Sequence, residues 1–373
     1  MATIVGTVYL SGCNYQVGYD LLGQNTAGNY STVRFYGILN VTNNYVSWSR
    51  GTASVWGASV NLSTRYNKGS YTVVTQDVNI GHDANGYYSG TITGSLSTTF
   101  TSGTASGPFE LPQIKRVAVT NSVTGSVLED NFKVNFTKYT DNFTYKLRIS
   151  VPSVKQLEKI NYQNSDTNFK LSQSTLDYLY SYIKSSNDVK LGFAVETWSG
   201  NTLIGSGNEI VITGKLVNAN PIFTNFTFKD TNNKTVALTG NNQINVNGYS
   251  NIVVTISADN KAIPQKNATM NKYQLAVSGN DTVNIGYSDT KDVTGTVKGA
   301  KQGIYNVYAI DSRNNSTLVT KLATNSIAYT DININQVNAK ASRDENGVGK
   351  KCNVEFSGTF WNGNFGLTDN TIT

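Results

Sequence analysis

The feature that most constrains this chain is a period-2 alternation of apolar and polar residues, in short runs closed by turn residues. Val33-Arg34-Phe35-Tyr36-Gly37-Ile38 is one such run. Alternation of this kind places one side chain toward a core and the next toward water, which is the pattern of a half-buried strand. Such runs recur over Thr3–Tyr9, Tyr15–Leu22, Ser31–Val41, Tyr45–Ser49, Ala58–Tyr66, Tyr71–Ile80, Gly86–Leu96 and Gly107–Leu111. Between them stand turn signals such as Asn43-Asn44, Asn67-Lys68-Gly69 and Asp83-Ala84-Asn85-Gly86, and no amphipathic helix intervenes. This spacing predicts a sandwich or barrel rather than βαβ units. The 47 Asn, 33 Gly and 22 Tyr are the residues that many strands and tight turns require.

The fold class expected is all-β, as tandem β-sandwich domains of jelly-roll or immunoglobulin-like type, with one short helical insertion. An N-terminal sandwich over 1–113 ends near Pro108 and Pro112, where a chain leaving a sheet tolerates a missing N–H. A β-rich domain follows over 114–216, with strands at Val127–Thr137, Thr144–Val151, Lys190–Thr197 and Leu203–Thr213. Its helix, near 174–185, is read from Leu176, Leu179, Tyr180 and Ile183, which fall on one helical face. Ser174, with Asp177 three residues on, resembles a capping box. The third domain, 217–330, holds about seven strands, Thr235–Thr239 among them, and matches an immunoglobulin-like sandwich in size. The segment 331–373 holds at most three strands and alternates over Val354–Thr373. It is too short to bury its own core, so either it packs on its neighbour or the chain is truncated.

Several function classes lose ground on composition. The longest apolar runs, such as Ile252–Ile256, fall well short of the roughly 18 residues of a membrane helix, so no membrane insertion is expected. Met1–Gly6 carries no secretory pattern, and two cysteines, Cys13 and Cys352, make no disulfide framework. Folding in a reducing cytosol follows. The net charge of +6 is carried by scattered lysines, chiefly over Lys215–Thr330. Nucleic-acid binders group their cations on one face, so nucleic acid is not an expected partner.

Catalytic residues, metal ligands and cofactors are not expected. The only histidine, His82, belongs to His82-Asp83-Ala84-Asn85-Gly86, read as a turn with Gly at a positive-φ position. A calcium loop would need six or more oxygens. No Gly-x-Ser-x-Gly elbow precedes a helix, and no spacing singles out the carboxylate pair of a glycosidase. Phosphate loops and dinucleotide fingerprints are absent. Arg313 beside Asp311 is read as fixing strand ends.

The candidate ligand-binding residues are Tyr45, Trp48, Arg50, Trp56 and Tyr66, the last adjoining Arg65. They crowd a domain whose first 112 residues carry four cations and four anions. Sugar rings stack their apolar C–H edges on aromatic faces, and Tyr and Trp have few rotors to freeze on contact. Strict alternation at Ser47-Trp48-Ser49 points Trp48 toward the core, while Tyr45 and Trp56 stand nearer loops.

A set of ordered short motifs gives a further expectation. They are Gln24–Asn29, Ser31-Thr32-Val33-Arg34, Gly69-Ser70-Tyr71, Val78–Gly86, Leu111–Arg116, Thr197–Gly205, Ala309–Arg313 and Ser342–Gly349 leading into Phe356-Ser357-Gly358. In this order they resemble a family of siphophage structural proteins of unknown function, from phages of Gram-positive bacteria. The resemblance covers nearly the whole chain. It implies a virion protein of the distal tail, baseplate or fibre, assembled in the host cytoplasm and attaching to the host surface. The partners expected are other tail or baseplate proteins and, from the aromatic and nearly uncharged composition of residues 1–112, host cell-wall polysaccharide; tail symmetry suggests a homotrimer or homohexamer. The family has no established catalytic residues, so it contributes none. A purely structural adaptor or decoration protein is the main alternative, and a wall-polysaccharide-degrading enzyme is the second.

Overall fold

A computed structural model describes residues 2–162 and 166–371. Met1, 163–165 and 372–373 lie outside the described residues, and with them the last positions of the alternation read over Val354–Thr373. The chain is all-β in architecture, with two short α-helices among the described residues.

The first sandwich is built from β1 (Thr3–Leu10), β2 (Cys13–Asn25), β3 (Tyr30–Ser47), β4 (Gly51–Val55), β5 (Ala58–Asn61), β6 (Arg65–Gly81), β7 (Tyr88–Thr98) and β8 (Ser102–Leu111). Two four-stranded antiparallel sheets, ordered β1-β2-β3-β6 and β5-β4-β7-β8, face each other. Alternate residues fill the space between them: Tyr15, Val17, Val33, Phe35 and Leu39 from one sheet, Ala53, Val55, Ile92, Leu96 and Phe109 from the other. Each large apolar side chain so buried contributes about 1.5–3 kcal/mol. Tyr15 spans the layer, its hydroxyl donating to Ser54 O at 2.8 Å. Gly37 is required opposite, because a Cβ there would lie 2.0 Å from the Tyr15 hydroxyl.

Asn43-Asn44, read as a turn, is part of a bulge. The pairing steps from Val41↔Gly69 to Tyr45↔Asn67, and the Thr42 and Asn43 N–H groups donate to Gly12 O at 3.0 and 3.2 Å. The two expected strands over Ser31–Val41 and Tyr45–Ser49 therefore form one long β3. The bulge also inverts the alternation: Val41 points inward, and beyond the extra residues it is Val46, not Tyr45, that is half-buried.

The second sandwich sets a three-stranded sheet (Val119–Thr124, Phe132–Thr137, Asp166–Phe169) against a five-stranded one containing Thr144–Val151, Lys155–Tyr162 and Asp188–Ser199. Phe132 and Phe193 join them, with ring centroids 5.7 Å apart. The strand expected over Val127–Thr137 starts only at Phe132. The third sandwich sets a three-stranded sheet (Thr227–Asp230, Ile252–Ile256, Val293–Val297) against a four-stranded one over Val283–Gly286, Met270–Ala276, Ile304–Asp311 and Ser316–Leu322. Its core includes Phe226, Ile252, Tyr273 and Tyr305.

The chain divides into two compact units: 1–126, 130–170 and 190–214 in one, and 127–129, 171–189 and 215–373 in the other. Helix α1 (Gln173–Tyr182) falls in the second unit, although sequence places it within 114–216. Its N-cap is Ser172, whose side chain accepts from Thr175 N, and not Ser174. Its C-terminal carbonyls are taken by Arg313, which donates to Tyr180 O and Ile183 O at 3.0 and 2.8 Å.

Thr235–Thr239, expected to be a strand, belongs to helix α2 (Asn233–Thr239). Asn232 caps it by accepting from Lys234 N, and Gly240, at φ 68°, closes it in the left-handed conformation. These two caps override the β-branched composition between them. The C-terminal segment forms one hairpin, Asn333–Arg343 with Gly349–Thr359, and then returns to its unit, where Phe365 is buried against Val246 and Ile327. No helix among the described residues is long and apolar enough to cross a membrane.

Candidate functional site

The end of the β3/β6 pair carries an exposed aromatic group of the first sandwich. Beyond the bulge, Tyr45 pairs with Asn67, Val46 with Tyr66 and Ser47 with Arg65. Tyr45 is 51% exposed, and the Arg65 guanidinium lies 4.2 Å from its ring centre. A cation held over an exposed ring contributes about 0.5–1 kcal/mol, enough to orient both groups at the surface. On the other side of the strands, Tyr66 packs between Trp48 at 5.8 Å and Tyr71 at 5.0 Å. The Tyr71 hydroxyl donates to Asn67 O at 3.1 Å, and the Tyr66 oxygen accepts from Ser63 N at 3.3 Å. The corner thus has an exposed layer, Tyr45 and Arg65, on a supporting layer of Trp48, Tyr66 and Tyr71.

Trp48 is 6% exposed, as its alternation predicts. Its Nε1 is buried without a hydrogen-bond partner and abuts Gly51, where a Cβ would lie 2.7 Å away. Gly51 lines an open groove of about 450 Å³ with Ser49, Arg50, Thr52, Thr98 and Thr99. Arg50 is exposed on this groove. Its backbone N–H donates to the Thr99 hydroxyl at 3.0 Å, and Ser49 Oγ lies 2.8 Å from that hydroxyl. The groove therefore offers hydroxyls and one guanidinium, with the indole beneath.

Trp56 does not join this group. It stands with Gly57 in the two-residue turn between β4 and β5, at φ 45° and 84°, the signature of a type I′ hairpin. The turn folds the indole onto Phe35 at 4.3 Å and 20°, with Phe109 edge-on at 5.9 Å. Of the five expected residues, Tyr45, Trp48 and Tyr66 form one corner, Arg50 flanks it and Trp56 caps the core. Tyr71 carried no distinguishing sequence signal. Arg65 did, by adjoining Tyr66 on a strand.

Other chemistry-bearing groups are engaged internally. His82 Nδ1 lies 2.7 Å from Gly86 O, which only accepts, so that nitrogen carries the proton, and Nε2 meets the buried Ser31 hydroxyl at 2.8 Å. Asp83 Oδ1 accepts from Asn85 N and Tyr87 N, closing the turn. Arg313 is 4% exposed. Besides the α1 carbonyls it donates to Gln265 O and Lys266 O at 3.2 and 2.6 Å, and burial lowers its pKa. Asp311 accepts from Arg313 N and Asn315 N instead of pairing with the guanidinium.

On the five-stranded sheet, Arg148 reaches both Glu196 and Glu209, at 3.8 and 3.7 Å. Lys159 and the Trp198 indole N–H also bind Glu196, at 2.9 and 3.1 Å. Both carboxylates are occupied by cations. On the outer face of the first sandwich, Arg34 binds Asp77 through two hydrogen bonds of 2.6 and 2.7 Å, and this contact holds the carboxyl below its usual range. No group of three or more His, Cys, Asp or Glu that could hold a metal occurs among the described residues.

No family model and no curated protein matches the chain. Among solved structures, the chicken CNTN1 FN1–FN3 domains are similar over 82% of this chain and 97% of that one, at 9% identity and a TM-score of 0.23. A tetra-tandem repeat from the extending region of a large adhesion protein is similar over 91% of this chain and 87% of that one. Its identity is 12% and its TM-score 0.25. Scores this low carry no argument about function. The class defined by fold and site is a tandem β-sandwich protein with an aromatic–cationic surface corner.

Proposed function

We propose that the chain is a non-enzymatic attachment protein of a phage tail or baseplate that binds cell-wall saccharide through the corner at Tyr45 and Arg65. The observation that carries this reading is the pairing of an exposed ring and a guanidinium on a rigid aromatic base. A sugar C–H edge stacks on the phenol face, and the guanidinium bonds its hydroxyls. The tail placement rests on the ordered motifs that resemble siphophage structural proteins. Attachment of this kind tolerates weak single sites, because several copies on one particle raise the effective concentration.

The test is retention of the full chain on purified Gram-positive cell walls. Tyr45→Ala with Arg65→Ala is expected to weaken retention five- to thirtyfold, the effect of losing about 1–2 kcal/mol from an anchor pair. Equal retention of the variant and the native chain removes this site, and absence of retention by the native chain removes the function. A structural adaptor is the second reading. It is favoured by the C-terminal hairpin, one face of which exposes Val337, Val354 and Phe356, a surface suited to a protein partner.

A further inference from the structure

In the second compact unit, the segment after the C-terminal hairpin returns alongside α2. A cleft of about 380 Å³ opens between them, within the roughly 300–1,000 Å³ range of small-molecule sites. Its walls include Tyr249, Tyr329 and Leu238, and its polar lining includes Asp331, Asp369 and Lys234. Tyr249 stands edge-to-face with Tyr329, centroids 5.1 Å apart at 73°. Tyr329 is braced from behind by Trp361 at 5.6 Å and Phe365 at 5.5 Å. Tyr249 is tied to the start of α2, since its carbonyl accepts from the Asn232 amide at 2.8 Å. The rings are thus held before any ligand arrives, which lowers the ordering cost of binding.

We propose that this cleft binds one neutral pyranose residue of a glycan. The exposed Tyr249 ring, held against Tyr329, offers a surface for the apolar C–H edge of a sugar ring. Asp369 already accepts from the Asn364 amide and Asp331 from the Tyr249 hydroxyl, so each carboxylate has its remaining acceptor capacity for one sugar hydroxyl, and the Lys234 ammonium donates to a hydroxyl or ring oxygen. Two carboxylates against one ammonium leave the lining negative, so uronic and phosphorylated sugars are disfavoured. Asp331 also binds the Tyr249 hydroxyl, which pushes that phenol up to about 12 and keeps it a neutral donor across the physiological range. This site belongs to a different unit from the Tyr45 corner and does not depend on it.

The experiment is saturation-transfer NMR on the full chain with the methyl glycosides of glucose, galactose, N-acetylglucosamine and glucuronic acid. Transfer to the ring C–H protons of at least one neutral glycoside is expected, with a tenfold or greater loss of affinity in Tyr249→Ala and in Asp331→Asn. Tyr249→Phe, which keeps the ring, retains stacking and controls for folding, together with an unchanged melting curve. No transfer to any neutral glycoside overturns the proposal. So does equal or tighter binding of the glucuronide, or affinity untouched by Tyr249→Ala. Binding lost only in the Tyr45→Ala, Arg65→Ala variant also overturns it, while leaving the N-terminal site standing.

Discussion

Trp56 holds a backbone angle, φ 45°, that favours glycine or asparagine, and the stacking of its indole on Phe35 offsets that cost. Trp56→Ala is therefore expected to destabilise the first sandwich by about 2–3 kcal/mol in urea denaturation, with cell-wall retention unchanged once the chain is folded. Arg313 is the second residue whose role is structural. Its buried guanidinium serves four carbonyls, two of them buried and two half-buried, so Arg313→Ala is expected to cost about 3–4 kcal/mol. Arg313→Lys rescues little, because an ammonium lacks the planar fork. At this scale the aromatic corner was legible in part. Composition picks out Tyr45, Trp48 and Tyr66, and alternation buries Trp48. Trp56 was not legible, because its direction is set by a two-residue turn rather than by the period of a strand. Tyr71 lay outside reach for a related reason: it stands five residues from Tyr66 on β6, a spacing that strict period-2 alternation would put on the opposite face, yet the two rings meet at 5.0 Å.

Among the elements, the strands of regular period were readable: Thr144–Val151, Val293–Val297 and Ile304–Asp311 stand where alternation places them. The misread segments share a cause, in that side-chain caps and bulges outweighed local propensity. α2 forms through Asn232 and Gly240, and α1 begins at Ser172 because that hydroxyl reaches Thr175 N. α1 also supplies a pH-dependent element. Tyr180, on its buried face, donates to Glu129, and Lys266 Nζ lies 2.6 Å from the same carboxylate. Burial raises the Glu129 pKa, but Lys266 and Tyr180 outweigh it and hold the group below its ordinary 4.5. A depressed folded value means the stabilisation is complete above pH 4.5 and is lost as pH falls through the lower folded value. Denaturation midpoints of the native chain are therefore expected to drop more steeply below that pH than those of Glu129→Gln. The C-terminal hairpin makes the opposite case. Val337 and Phe356 pair across it and are 55% and 67% exposed. Replacing both by Ser is expected to change stability by less than about 0.5 kcal/mol while reducing binding of an apolar dye.

The whole molecule is a chain of two compact units, so a single two-state transition is not expected. Calorimetry should resolve at least two, and Arg313→Ala should lower only the one belonging to the unit that contains α1. The same division means that the corner at Tyr45 and the cleft at Tyr249 can be disabled separately, so each proposed saccharide site can be tested with the other intact. The two cysteines differ in a way that makes such measurements easier. Cys13 is sealed in the first sandwich and burial pushes its thiol up, whereas Cys352 is exposed on the hairpin. A maleimide dye or gold cluster added to the unaltered protein will therefore mark one spot, and an electron micrograph of any assembly that holds the chain will locate that spot without any engineered residue.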